Sequence, residues 1–246
     1  MEQRNRELLS AGLAKYGVVP RERLLDALVK HLEMVVEWNE RVNLTAITDE
    51  REMVLKHVVD SASALAAIEV TGETQILDVG TGAGFPGVVL KCVQPAARVV
   101  LLESLNKRCT FLRAVGDEVV ESLGGPRGGF EVLWGRAEDF GKDRKYRERF
   151  DVVIARAVAE LRVLAEYCLP FCRVGGLFLA MKGPSAGEEI ATAESAIATL
   201  GGTFVEVRRI ELPEEAGVRT LILVKKVRGT PAGYPRKAGT PAKSPL

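Results

Sequence analysis

Ten residues, DVGTGAGFPG at 78–87, place four glycines and one aspartate between the apolar runs QIL and VVL. Glycine costs backbone entropy, so such a cluster calls for a tight turn or a close-approaching ligand. Gly82, Gly84 and Gly87 fit the G-x-G-x-x-G spacing of a nucleotide-holding turn. Asp78 and Gly80 extend it to D-x-G-x-G-x-G. Glu103 stands 19 residues beyond Gly84, at the end of RVVLLE. A carboxylate there can accept hydrogen bonds from both ribose hydroxyls of an adenosine-bearing ligand. Two ligands fit, a dinucleotide or S-adenosylmethionine. A pyrophosphate wants a free helix N-terminus and basic help, whereas Asp78 opposes phosphate and suits an ammonium group. The chain is also short for a second mononucleotide half plus a substrate domain. The residues therefore favour the methyl donor over the dinucleotide, and the matched acid disfavours a turn needed only for packing.

These residues need a scaffold. The first 70 residues read as helical: Leu24, Leu25, Leu28, Leu32, Val35 and Val36 recur at 3 and 4 spacing after Pro20. Asp49 and Glu52 form a capping-box pattern opening DEREMVLKHVVDSASAL, with Val54, Val58, Leu65 and Ile68 on the expected buried face. From residue 75 the rhythm changes to short β-rich runs: QILDVG, RVVLLE, EVLWG, FDVVIAR and GLFLAMK. Strands alternating with helices predict a mostly parallel sheet covered on both faces. TFVEVRRIEL and RTLILVKK follow the helical EEIATAESAIATL and are joined by the short PEEAGV, which predicts an antiparallel edge. The expected fold is therefore α/β, a seven-stranded, mostly parallel, Rossmann-like sheet. The expected organisation is a helical cap over 1–70, the sheet domain over 71–227, and a basic Pro/Gly-rich flexible tail over 228–246.

Ligands of open α/β sheets sit beyond the carboxyl ends of the strands. The third strand ends in WGRAEDF, offering Ala137 and Glu138, whose carboxylate suits an adenine amino group or is simply solvated. The fourth ends in Ala155-Arg156-Ala157. An arginine at an apolar strand end is costly unless paired. Arg156 thus either meets a carboxylate or holds an anionic or guanine-like group. No N-P-P-Y or D-P-P-Y follows the fourth strand, no Pro-Cys or Thr-Cys offers a nucleophile, and no histidine ends a strand. An acceptor with a free lone pair, such as guanine N7, needs no base, and orientation supplies most of the rate.

Composition narrows the rest. The net charge of +1 means that an anionic partner must be held by local patches. No 18-residue apolar stretch or signal-type hydrophobic segment is present, so neither membrane nor secretion is expected. Cys92, Cys109, Cys168 and Cys172 lie in apolar or helical contexts without C-x-x-C and read as reduced cytosolic thiols; no metal site is expected.

In order along the chain stand WNERVNLTAI (38–47), HVVDS (57–61), DVGTGAGFPG (78–87), SLNKRCTFL (104–112), RAEDF (136–140), RAVAEL (156–161) and MKG (181–183). Together they resemble the bacterial small-subunit ribosomal RNA guanine-N7 methyltransferases, also called glucose-inhibited division protein B. The resemblance spans about residues 30 to 225. It implies a class I methyltransferase sheet with an N-terminal helical cap, and methylation of N7 of one guanine in 16S rRNA near the decoding centre. It implies S-adenosylmethionine contacts at Gly80, Phe85, Ala137, Glu138 and Arg156, with Glu103 on the ribose; the glycine spacing adds Gly82 and Gly84 as cofactor contacts. Ala155 and Val158 depart from the usual Ser and Phe, and Glu103 from the usual Asp. The implied partner is 16S rRNA or the small ribosomal subunit, met by a cytoplasmic monomer.

RNA contacts are expected at Lys107, Arg108, Arg113, Arg156 and Lys182, with the basic loop KDRKYRER (142–149) and the six basic residues from Lys225 onward as possible extensions. A solvated surface explains the loop equally well. His57 shares a helix face with Val54 and Ser61 and reads as structural; Asn39 and Asn43 read as cap and turn residues. A quite different reading is a regulatory protein that binds S-adenosylmethionine or a nicotinamide nucleotide without catalysis.

Overall fold

A computed structural model describes residues 1–124, 128–156 and 159–246. Its centre is a seven-stranded sheet in the order β3-β2-β1-β4-β5-β7-β6. The strands are β1 (Gln75–Val79), β2 (Arg98–Glu103), β3 (Phe130–Trp134), β4 (Phe150–Arg156), β5 (Cys172–Lys182), β6 (Gly202–Glu211) and β7 (Val218–Lys226). The first five pair in parallel, and β7 runs antiparallel to both β5 and β6. The seven apolar runs seen in the sequence are these strands.

Central strands read as unbroken apolar runs because both sheet faces are covered. Ile76, Val99, Leu101, Val152, Ile154 and Leu179 face the N-terminal helices and the helices Gly87–Val93 and Asn106–Val115. Their neighbours Leu77, Val100, Leu102, Val153 and Phe178 face the helices Leu161–Cys168 and Glu188–Thr199. The alternation of neighbours between two cores is the period-2 geometry of a strand. The strand order reverses direction between β1 and β4, which opens a crevice beyond their carboxyl ends.

Three helical segments cap that crevice. Helix α1 (Gln3–Ala14) packs beside α2 (Glu22–Val42), which ends where Asn43 adopts φ +47°. Helix α2 buries Leu24, Leu25, Leu28, Leu32 and Val35, as their spacing predicts. Val36 departs from that stripe and is 55% exposed, while His31 occupies the inner face instead. Segment α3 starts at Glu50–Met53, widens into a π-helix at Val54–Val59, and closes through Asp60–Ala62 and Ser63–Ala66. Asp49 caps it by accepting from the Glu52 N–H at 2.8 Å. Single π-turns are frequent at functional sites, and this one carries His57 to the mouth of the crevice.

The expected flexible tail is instead laid along the body. Arg147 Nη1 donates to Tyr234 O, and Nη2 to Thr230 O. The Lys226 ammonium, fully buried, donates to Leu169 O and Thr230 Oγ1. Composition gave no sign of this, because the partners are backbone carbonyls far away in sequence. Among the described residues, no helix is long and apolar enough to cross a membrane.

Candidate functional site

The glycine turn leaves β1 and reaches the helix Gly87–Val93. Gly80, Gly82 and Gly84 have φ of +72°, +61° and +93°, a region closed to most side chains. Gly87 is required for a different reason: a Cβ there would stand 2.3 Å from Leu101 Cδ2. Asp78 braces the turn from below. Its Oδ2 accepts from Thr81 Oγ1 at 2.6 Å and from Gly87 N at 2.8 Å. Its Oδ1 is buried with no partner among the described residues. Burial pushes this carboxyl up to about 6, against the pull of its two hydrogen bonds.

Glu103 closes the other side of the turn. Its Oε2 accepts from Gly82 N at 3.1 Å, and its Oε1 from Leu105 N at 2.9 Å. Ser104 Oγ also donates to Oε1, at 3.4 Å, while Oε2 keeps a second lone pair with capacity for a hydroxyl donor. Arg108 stands behind it, 3.8 Å from Oε2, and donates to Asn43 O at the end of α2. The cap and Glu103 are thereby linked through one guanidinium.

The cap also grips the loop at Phe85, whose ring lies between two histidines. His31 and His57 each stack with it at 4.7 Å between centroids. His31 Nε2 donates to Ala83 O at 2.8 Å, which leaves its Nδ1 deprotonated and unpartnered. His57 Nε2 meets Thr45 Oγ1 at 2.8 Å. Thr45 is held in turn by Asn39, whose Oδ1 accepts from the N–H groups of Leu44 and Thr45. Burial holds both histidines down to about 4; the Arg156 charge adds to this at His57. Both rings are neutral at pH 7.

Beyond Phe85 lies a cleft of about 370 Å³ at the strand ends, lined among others by Thr45, Lys56, His57, Gly82, Arg156 and Arg219. Larger hollows near Phe130 and Tyr16 lie toward the amino ends of the strands. At the back of the cleft the fully buried Asp60 meets two arginines. Arg156 Nη1 donates to Oδ2 at 2.9 Å; Arg219 donates to Oδ1 and Oδ2 at 2.6 Å each. Arg156 also lies 5.4 Å from the Phe85 ring centroid. Both readings of Arg156 thus meet in one place: it has a carboxylate partner, yet two guanidiniums against one carboxylate leave a positive charge facing the cleft.

The other expected residues divide. Ala137 and Glu138 open the one-turn helix Ala137–Phe140 after β3, but Glu138 is nearly buried and accepts from Gly239 N at 2.8 Å. Lys107 is exposed at the start of the helix after β2. Arg108 serves Glu103 and the cap. Arg113 does not join the site; it lines the hollow beside Phe130, since its helix runs away from the strand ends. Lys182 is also a correction. It is 9% exposed, and its ammonium is spent on Ala159 O at 2.6 Å and Glu189 at 3.0 Å. The basic loop is partly structural, with Lys145 on Glu131 and Arg147 on the tail. Ala155 is fully buried, while Ala157 and Val158 lie outside the described residues. Sequence reasoning missed Arg219 and Thr45; only the T in NLTAI hinted at the latter.

The residues fit S-adenosylmethionine. At Gly82 a Cβ would stand in open space, so the turn faces a void and not a packed wall. The unpartnered Asp78 oxygen and the spare lone pair of Glu103 Oε2 supply acceptors, and no phosphate-holding cation lies on the turn. Residues 24–216 match the family model described as rRNA small subunit methyltransferase G. The chain is 59% identical to the ribosomal RNA small subunit methyltransferase G of Symbiobacterium thermophilum, over 98% of both chains. It is 46% identical to the protein of that name from Pelotomaculum thermopropionicum, again over 98% of both. A Bacillus cereus O-methyltransferase solved with S-adenosylhomocysteine shares the fold at a TM-score of 0.51 and 19% identity, covering 80% of this chain and 91% of that one. The precorrin-6y C5,15-methyltransferase of Geobacter metallireducens does so at 0.50 and 14%, covering 68% and 87%.

Proposed function

The chain belongs to the rRNA small subunit methyltransferase G family, and from that membership we propose that it methylates N7 of one guanine in 16S rRNA. Bound S-adenosylmethionine would supply an electrophilic methyl group; the lone pair of guanine N7 would form the N–C bond as the C–S bond breaks, S-adenosylhomocysteine would leave, and no proton on N7 needs a base. The observation that carries the guanine reading is the cleft where Arg156 and Arg219 share Asp60. The edge of guanine that presents N7 also presents O6, an acceptor that suits an arginine donor.

The chain's own residues then orient and desolvate. Gly80, Gly82 and Gly84 bring backbone close to the donor, Asp78 and Glu103 offer acceptors at its two ends, and Phe85 forms the wall between donor and acceptor sites. His57, held down to about 4 and hydrogen-bonded to Thr45, is a weak base at pH 7, and its role is to shape the cleft. Lys107, exposed at the start of the helix after β2, would meet phosphate beside the cleft. Holding reactants in a near-attack geometry contributes on the order of 7–11 kcal/mol at best. A cytoplasmic monomer acting on the rRNA, free or in the subunit, completes the proposal.

Titration with S-adenosylhomocysteine and NADH, followed by a time course with labelled donor and unmethylated 16S rRNA, tests it. A catalyst binds the first ligand, ignores the second, and transfers label in proportion to time. Saturable binding without transfer would reduce the protein to a sensor.

A further inference from the structure

The tail meets the adenine end of the site at more than one point. Glu138 Oε1 accepts from Gly239 N at 2.8 Å. Gly141, which ends the Ala137–Phe140 turn, lies against Pro235: a Cβ on Gly141 would stand 2.9 Å from Pro235 Cγ. Arg147 Nη1 bridges Gly141 O and Tyr234 O, both at 2.8 Å. Arg236 grips Glu166, a carboxylate 1% exposed on the helix Leu161–Cys168, through Nε and Nη2, the latter at 2.6 Å; its own backbone N–H adds a bond of 2.7 Å. A single helical turn does not sustain itself in isolation. The segment 137–140 therefore depends on what surrounds it, and much of that is the tail.

We propose that residues 228–246 act as a clasp that positions the 135–141 turn, and with it Ala137 and Glu138, at the adenine end of the cofactor site. The inference rests on the reading that this chain binds S-adenosylmethionine. With Gly239 N–H gone, Glu138 would hold a nearly buried carboxylate oxygen without a donor, and such a group moves toward water. The turn would move with it. Arg236 is a positioning residue, acting through Glu166 and Gly239 on a segment it does not itself belong to. The tail's basic character is then partly structural: Arg236 is spent on Glu166, and Arg228 donates to Ala198 O. Lys237 and Lys243 have no ion-pair partner among the described residues.

The test uses full-length variants. Arg236→Ala is expected to raise the Kd of S-adenosylhomocysteine about tenfold, the equivalent of one lost charge-assisted bond. Arg236→Lys should fall between. Amide hydrogen exchange of residues 137–141 in the ligand-free chain should quicken in Arg236→Ala while the central strands stay protected. Gly239→Ala strains the segment that carries the donor to Glu138, because Gly239 has φ +82° while an added Cβ would meet nothing, and it leaves the Arg236–Glu166 pair, so it decides the matter if Arg236→Ala does not fold. Lys243→Ala should leave cofactor affinity unchanged. Unchanged affinity and exchange in both clasp variants overturn the inference. So does a loss of RNA affinity alone, which would make the tail an RNA-binding arm. Failure of the unmodified chain to bind S-adenosylhomocysteine overturns the reading beneath it, and is seen in the same titration.

Discussion

Asp60→Asn is the substitution that bears hardest on the arrangement of the site. The carboxylate is fully buried and accepts three bonds from two guanidiniums, at 2.9, 2.6 and 2.6 Å. Asparagine keeps the shape but has one acceptor oxygen, and its amide points two N–H groups toward groups that are themselves donors. Arg156 and Arg219 then face one another with no anion between them. Breaking a buried ion pair from one side costs about 3–5 kcal/mol, because the remaining charge is left uncompensated. Denaturant unfolding should show a loss of that size, read as a fall in midpoint at constant slope. Methyl transfer to RNA should collapse, because neither arginine is held in the cleft. Affinity for S-adenosylhomocysteine should suffer much less, since Glu103 and the glycine turn do not touch Asp60. A stability loss under about 1 kcal/mol would refute the reasoning, for it would mean that the pair is screened like a surface one.

The two neutral histidines and Asp78 make stability depend on pH. With folded values near 4 against 6.5, His31 and His57 bind more protons when unfolded, so stability falls as pH drops from about 6.5 to 4. Asp78, raised from 3.8 to about 6, works the other way between those values. Two protons against one leave a net slope of about 1.4 kcal/mol per pH unit near pH 5, and His31→Phe should bring it close to zero in denaturation series across pH. Glu103→Ala removes the acceptor for both Gly82 N and the ribose, and should weaken S-adenosylhomocysteine binding by about 1–3 kcal/mol in calorimetry; unchanged affinity would remove its ribose role. Gly87→Ala drives a methyl group into Leu101 and should cost about 1–3 kcal/mol in thermal unfolding. Lys107→Ala should lower the dependence of RNA binding on log salt by about one ion, checked by titration at several salt concentrations.

Much of this architecture is local information. The strands are legible because a sheet covered on both faces needs uninterrupted apolar runs, and β2, β4 and the second half of β5 have them. The glycine turn is legible because positive φ at three alternating positions leaves almost no other residue type. Asp49 announces its helix because its cap bond spans three residues. What depends on distant pairing is silent. Arg219 lies 159 residues from Asp60, and nothing in VRTLILV says that its first charged residue turns inward. Lys182 and Arg113 read as RNA contacts until the fold shows one bonded to Glu189 and the other at the far end of its helix. His31 took the inward position that periodicity gave to Val36, because the glycine turn offered its ring a carbonyl and an aromatic face. The tail reads as disordered by composition, since its anchors are buried partners on the body and not its own apolar residues.

The central claim is methyl transfer to guanine N7, and one measurement addresses it directly. The purified chain is incubated with S-adenosylmethionine and unmethylated 16S rRNA, free and within the small subunit, and the RNA is then reduced and cleaved by aniline, which breaks the strand at N7-methylguanine. The account predicts strand scission at a single guanine, growing with time and absent in Asp60→Asn. Incorporated label without such scission, with the methyl found on an exocyclic amine or a ribose oxygen, would contradict it.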